Sequence, residues 1–336
     1  MDLLFSFIVP VYNRPNEIKE LLASISEQTY SKYFEVVIVE DGSSVSSEKE
    51  CQLFDSKLNI KYLFKDNSGP GDSRNYGMLR AKGNYFIVLD SDCILPPQYL
   101  EVVAKSLQED YVDCYGGPDA AHASFSDTQK AINYAMTSFF TTGGIRGKKS
   151  SVGKFQPRSF NMGISKKAFE DTKGYGNIHP GEDPDLTIRL WNKEYSTKLI
   201  EDAFVYHKRR VDWSKFYVQV NKFGMVRPIL NKWHPETAKL TYWFPSVFCV
   251  GLLIAIAFLI LGYVLPLLAY AFYFGLIFVD SLLKNKNVGI AFKSWIAVVI
   301  QFSGYGYGFL KATVLLSLSK KAAQELFPKL FFKNNE

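Results

Sequence analysis

The sequence predicts an α/β fold, a mainly parallel sheet with helices on both faces, followed by C-terminal helices that enter a membrane. Three observations predict it. In the first 115 residues, short apolar runs alternate with segments of helical periodicity, the pattern of parallel strands joined by crossover helices. From Trp243 to Leu283 only Asp280 is charged, a run about twice the ~20 residues that span a bilayer. Charge divides the chain in the same way: residues 1–206 carry a net −5 and residues 207–336 a net +11. The basic residues interleave with apolar runs, which fits anionic lipid and argues against nucleic acid as a partner.

Each element follows from its local pattern. "SFIVPVY" (6–12) and "EVVIVED" (35–41) are short apolar runs and read as buried strands. "PNEIKELLASISEQ" (15–28) sets Ile18, Leu21, Leu22 and Ile25 on one helical face, with Pro15 near its start. "NIKYLF" (59–64) is a third strand and "GDSRNYGMLRAKG" (71–83) a helix bracketed by glycines. "NYFIVLD" (84–90) and "YVDCYGG" (111–117) complete five strands. Residues 118–210 are less regular, with a helix expected within "HASFSDTQKAINYAMTSFFTT" and a mobile basic loop in "GGIRGKKSSVGKFQPRS". "GEDPDLTIRLWNK" opens a helix with three carboxylates at its amino end, where the helix dipole favours anions.

The back half reads as membrane-associated. "VDWSKFYVQVNKFGMVRPIL" sets Trp213, Phe216, Tyr217, Val220 and Phe223 on one face and Lys215, Gln219 and Lys222 on the other, the composition of a basic interfacial helix. The apolar run divides at Gly262 and Pro266 into a hairpin, about 244–263 and 265–283. Basic residues flank it on both sides, which places both flanks in the cytoplasm. A third apolar stretch, 294–318, contains Gly304, Gly306, Gly308 and Lys311 and reads equally as a crossing or as an interfacial segment. Cys51, Cys93, Cys114 and Cys249 make no metal-ligand or disulfide pattern, as expected in a reducing compartment. "MDLLFSFIVPVY" lacks the basic start and small-residue cleavage site of a secretory signal and reads as a strand.

In a parallel sheet, ligands bind at the carboxyl ends of the strands. Asp41 and Asp90 lie at such ends, with Asp92 two residues beyond. Oxygen-rich groups of this kind suit Mg2+ or Mn2+, which bind one or two carboxylates together with substrate phosphates. Phosphatases with an aspartyl nucleophile also use D-x-D after a strand, but they continue with threonine where this chain has Ile94.

"FIVPVYNRPNEIKELLASISEQ", "VVIVEDGSS", "GPGDSRNYGMLRAKGNYFIVLDSD" and "GEDPDLTIRL", in this order and at these separations, resemble the family-2 inverting glycosyltransferases of the Rossmann-like GT-A fold. The resemblance covers about residues 4–230, and the hairpin beyond is similar to the membrane anchor of members that build bacterial surface polysaccharide. It implies that the backbone at Pro10, Val11 and Tyr12 lines the nucleotide pocket and that Asp41 accepts a hydrogen bond from the base. It implies that Arg74 and Asn75 lie near the nucleotide, that Asp90 meets the ribose or a metal-bound water, and that Asp92 holds the metal. His207 matches a position at which several members reach the metal, and the basic run 208–210 adjoins it. Asp183 is then the general base that takes the acceptor proton, Glu182 orients it, and Asp185 is the fallback base.

The resemblance implies a nucleotide-diphosphate sugar donor, UDP-linked by preference, a lipid-linked or cell-surface glycan acceptor, and a site on the cytoplasmic face of the inner membrane. Its chain-building members carry Q-x-x-R-W on the interfacial helix. Here Gln219, Lys222 and Phe223 stand in that pattern, and lysine lacks the planar fork of arginine. Transfer of a single sugar is therefore expected ahead of processive synthesis. The rivals are a polyprenyl-phosphate glycosyltransferase, whose ionised acceptor needs no base, and a non-catalytic nucleotide-sugar-binding scaffold. The expected domains are a catalytic 1–210, with donor and acceptor halves meeting near 117, an interfacial 211–240, a membrane region 241–318 and a basic cytoplasmic tail 319–336.

Overall fold

A computed structural model describes residues 2–120, 125–143, 155–207 and 212–332. In chain order the elements are β1 (Phe5–Val11), α1 (Pro15–Ser26), β2 (Phe34–Asp41), α2 (Glu48–Gln52), β3 (Ile60–Lys65), α3 (Pro70–Arg80), β4 (Tyr85–Leu89), β5 (Cys93–Ile94), α4 (Tyr99–Glu109), β6 (Cys114–Gly116), β7 (Asp119–Ala120), α5 (Asp127–Thr137) and α6 (Phe139–Thr142). There follow β8 (Asn161–Ser165), α7 (Lys166–Thr172), α8 (Glu182–Asn192), β9 (Thr197–Leu199), β10 (Val205–His207), α9 (Trp213–Trp233), α10 (Phe244–Ile260), α11 (Leu265–Asn285) and α12 (Val288–Leu318).

The chain forms two compact units, one of residues 1–122, 147–208 and 331–336, the other of 123–146 and 209–330. This division differs from the expected one. Residues 123–146, assigned from sequence to the acceptor half of the catalytic domain, group with the helical unit, and the last residues group with the sheet.

The first unit is built on a seven-stranded sheet of order β3-β2-β1-β4-β8-β6-β9. β1 pairs in parallel with β2 and β4, and β2 with β3. β8 is antiparallel to both neighbours. It was missed from sequence because "NMGIS" contains a glycine and an asparagine and shows no alternation, yet all five residues are buried. The central strands are buried on both faces, which accounts for their unbroken apolar runs. The predicted stripe Ile18, Leu21, Leu22 and Ile25 of α1 packs into the core under one face, each side chain contributing about 1.5–3 kcal/mol of burial. A second sheet, β5-β10-β7, pairs His207 with Cys93.

The second unit is helical. α10 and α11 match the predicted hairpin, and Gly262, at φ 90°, makes the turn between them. The ambiguous third stretch is one continuous helix, α12, of 31 residues. The segments Leu240–Ile260, Leu265–Asn285 and Val288–Leu318 are each long and apolar enough to cross a membrane. α9 lays Phe216, Val220 and Gly224 against α12. A Cβ on Gly308 would stand 2.3 Å from the Asn221 carbonyl oxygen, so glycine permits this approach. The apolar face of α9, expected to lie bare in the interface, is thus largely covered by protein.

Candidate active site

The strand ends meet as expected. Val11 stands beside Glu40 and Ile8 beside Val88, so β1, β2 and β4 finish on one sheet edge. Val11 is buried there and Tyr12 is exposed, with Pro10 between buried and exposed. Asn13, which sequence reading passed over, fixes this edge: its Oδ1 accepts the Ser44 and Val45 amides at 2.9 and 3.0 Å.

Asp41 closes β2 in a buried position. Its Oδ1 accepts from Lys65 Nζ at 3.1 Å and the Ser68 amide at 3.0 Å, and its Oδ2 from the Gly69 amide at 3.0 Å and Asn67 Nδ2 at 3.3 Å. A carboxylate offers about four lone-pair directions, so a base N–H would have to displace one of these donors. Asn75 is also engaged by the protein. It donates to the Tyr175 carbonyl at 2.9 Å and accepts the Tyr175 amide at 2.8 Å, which makes it a tie between α3 and the 174–175 turn.

Past β4, Asp92 meets a guanidinium and an imidazole. Arg14 Nη1 lies 2.7 Å from Oδ2 and His207 Nε2 lies 3.1 Å from Oδ1, with Asp90 Oδ2 3.8 Å from the same imidazole nitrogen. Burial alone would raise the Asp92 carboxyl, but His207 and then Arg14 outweigh it and hold the group well below the usual carboxylate range. β10 carries His207 to this point through its pairing with β5, and the ring stacks on Phe160. Asp92, Cys93 and His207 offer ligand atoms within 4.8 Å of one another. Cys93 points its thiol at the Phe160 carbonyl at 3.4 Å. Arg14 was not foreseen, because nothing in "YNRPNE" marks which strand end its side chain reaches. The basic run 208–210 lies outside the described residues, as does most of the basic loop 143–159.

Arg74, 3% exposed, joins the two ends of the site. Its Nη2 lies 2.8 Å from Asp90 and its Nη1 3.1 Å from Glu182, while its guanidinium faces the Tyr175 ring at 5.3 Å. Glu182 and Asp183 open α8 behind Gly181, in the first turn. Glu182 Oε1 also lies 2.9 Å from His179 Nδ1. Burial opposes its ionisation, but His179 and then Arg74 hold its carboxyl down at about 2. Asp183 goes the other way. Burial, then the charge of Glu182, raise it above the usual carboxylate range, and Arg74 and Arg158 offset only part of this. Its Oδ1 is shielded from solvent and has no hydrogen-bond partner. Asp185, the fallback, is held by Arg189 at 2.9 and 2.8 Å. Gln219 and Lys222 lie on α9, in the helical unit.

A parallel sheet with an antiparallel intruder, and acidic groups at its strand ends, is the GT-A-like architecture. The structure of the mannosyltransferase PcManGT from Pyrobaculum calidifontis, in complex with GDP-Man and Mn2+, superimposes with a TM-score of 0.58, covering 93% of this chain and 87% of that one at 15% identity. Residues 6–172 match the Glycosyl transferase family 2 model, and the chain carries a domain of that family. An uncharacterized glycosyltransferase of Rickettsia conorii is 37% identical over 246 residues, 67% of this chain and 40% of the relative. GlyA of Streptococcus pneumoniae is 37% identical over 204 residues, 60% of this chain and 25% of the relative. The poly(ribitol-phosphate) beta-N-acetylglucosaminyltransferase TarS of Staphylococcus aureus is 36% identical over 112 residues, 32% of this chain and 20% of the relative. The chain thus spans well under half the length of these curated relatives.

Proposed function

We propose that the protein is an inverting glycosyltransferase that moves one sugar from a nucleotide-diphosphate donor, UDP-linked by preference, to a lipid-linked or cell-surface glycan at the cytoplasmic face of the inner membrane. The observation that carries this reading is Arg74. One buried guanidinium pairs with Asp90 at the strand end and with Glu182 at the helix start, which ties a donor corner to an acceptor corner.

The donor corner fits a divalent cation. Asp92, Cys93 and His207 place ligand atoms within 4.8 Å of one another, Asp90 Oδ2 lies 3.8 Å from the same imidazole nitrogen, and the carboxylate oxygens suit Mn2+ or Mg2+. Asp92, Asp90 and His207 would hold the ion, and its chemistry would be to neutralise charge on the departing diphosphate. Asp183 takes the proton of the acceptor hydroxyl as that oxygen attacks the anomeric carbon. The bond to the diphosphate breaks on the opposite side, which inverts the configuration. Glu182, fixed by Arg74 and His179, keeps Asp183 charged-neighboured and therefore more basic. The name of one relative, an N-acetylglucosaminyltransferase, supports N-acetylglucosamine as the first sugar to try.

The test is a screen of nucleotide sugars for donor hydrolysis by the full chain, with and without chelator. Hydrolysis of a UDP-sugar that stops with chelator and returns with Mn2+ or Mg2+ is expected. Tight nucleotide binding with no turnover of any donor, even with glycan acceptors present, would leave the scaffold reading in its place.

A further inference from the structure

Among the described residues, the helical unit holds a guanidinium with no ion-pair partner. Arg227 lies on α9, its guanidinium over the Tyr242 ring at 4.4 Å, and close enough to Tyr305 on α12 for the two to interact electrostatically. Its Nη1 is buried and has no hydrogen-bond partner. One helical turn on, the Asn231 amide oxygen is likewise buried and unpartnered, and residues four apart share a helix face. Among the described residues of this unit, Asp127, Asp212 and Asp280 each pair with a lysine, and no carboxylate forms an ion pair with Arg227.

A guanidinium nitrogen shut away from water without an acceptor is costly. The position says what acceptor fits. Tyr242 sits in the short turn Leu240–Trp243, at the start of the first apolar span. Tyrosines at such starts lie at headgroup level, where phosphate oxygens are the abundant anions. The exposed Lys232 and Lys239, between Arg227 and Tyr242 in the sequence, add positive charge to this segment. Arginine's planar fork suits a phosphate better than a lysine would.

We propose that Arg227, with Tyr242 and Tyr305, forms a phosphate-binding site at the membrane surface, whose ligand is the phosphate ester of an anionic lipid headgroup. Free phosphate carries the same chemistry, and the experiment separates the two. The site does not depend on the transferase reading, so its test reads lipid retention and not transfer.

The full chain in neutral detergent is titrated with phosphatidylglycerol, and bound lipid is counted by native mass spectrometry. Wild type should retain one lipid selectively. Arg227→Gln should weaken retention by about tenfold, the scale of a hydrogen bond to a charged group. Arg227→Lys should fall between, and Lys232→Gln should change retention by less than about twofold, as for an exposed charge. Tyr242→Leu, which keeps the cation and removes its platform, should also weaken retention and serves if Arg227→Gln does not fold. Release of the lipid by excess inorganic phosphate would identify a site for phosphate itself, and retention would identify a site for the lipid ester. Equal retention by wild type, Arg227→Gln and Tyr242→Leu overturns the proposal.

Discussion

The two acidic corners of the sheet unit are made from the same kind of residue and reach opposite electrostatic states. At the strand end, Asp92 lies between Arg14 and His207, and these neighbours hold its carboxyl down against its burial. At the start of α8, Asp183 has no ion pair with its Oδ1, and burial with the neighbouring Glu182 charge raises it. A group that binds cations must stay charged under all working conditions. A group that accepts a proton in the transition state works best with a pKa nearer the ambient pH. The difference comes from the neighbours and not from the aspartates: His207 and Arg14 face Asp92, and the Glu182 charge faces Asp183.

The sharpest break would be at Asp183. Asp183→Asn keeps the shape and removes the basicity, so single-turnover transfer should fall by roughly 10²-fold or more, while donor affinity measured by calorimetry changes little. Asp185→Asn should cost far less, since Asp185 is already occupied by Arg189. If Asp183→Asn transfers normally, the two corners do not divide the work, and an ionised phosphate acceptor that needs no base becomes the better reading.

The opposite corner should fail in binding. Loss of groups that merely support a metal ligand commonly costs 10–100-fold in affinity, so Asp92→Ala should weaken Mn2+-dependent nucleoside diphosphate binding by at least about tenfold. Arg14 gives a subtler test. It pairs with Asp92 Oδ2 and so competes for the charge of a carboxylate that would hold a metal. Arg14→Gln should therefore tighten Mn2+ binding by roughly threefold, on the scale of a partly exposed ion pair. Weaker Mn2+ binding in that variant would mean that Arg14 orients Asp92 and does not compete for it.

A third test reads the coupling by pH. As the proposed base, Asp183 would act when ionised, so transfer should rise with pH through its raised pKa. The charge of Glu182 is part of what raises it. Glu182→Gln removes that charge and leaves Arg74 nearer to Asp183 alone, and both effects lower the pKa. The acid limb of the rate profile should move to lower pH. A limb that stays in place would show that burial alone sets the Asp183 state.

How far these corners could be read from sequence depends on distance along the chain. Asp90-Ser91-Asp92 and Glu182-Asp183 were legible, because a strand end and a helix start announce themselves within a few residues. Their partners were not. Arg14 reaches Asp92 across 78 positions and Arg74 reaches Glu182 across 108, and no local pattern carries that information. Asp41 and Asn75 show the converse. Their residue types suit a ligand, but Ser68, Gly69 and Tyr175 supply backbone groups that occupy them first. The parallel strands were visible as buried apolar runs, whereas β8, short and held by neighbours on both sides, was not.

A modest effect is expected where the chain returns to the sheet unit after α12. Phe331 bridges to Ile178, and the Phe332 amide donates to the Asn177 carbonyl at 3.1 Å. The Phe332 ring lies 5.9 Å from the His179 ring and so close to Gly69 that a Cβ there would stand 2.3 Å from it. One ring thus touches the turn that holds Asp41 and the segment that holds Glu182. Phe332→Ala withdraws apolar packing from the rim of both corners without altering any charge. Donor KM should rise roughly threefold to tenfold, the equivalent of about 1 kcal/mol of lost burial, with kcat nearly constant and the acid limb unmoved. Phe332→Leu should recover most of the loss, because the contact is apolar. A fall in kcat with a displaced acid limb would instead route the effect through His179 and Glu182, and would make the ring part of the acceptor corner.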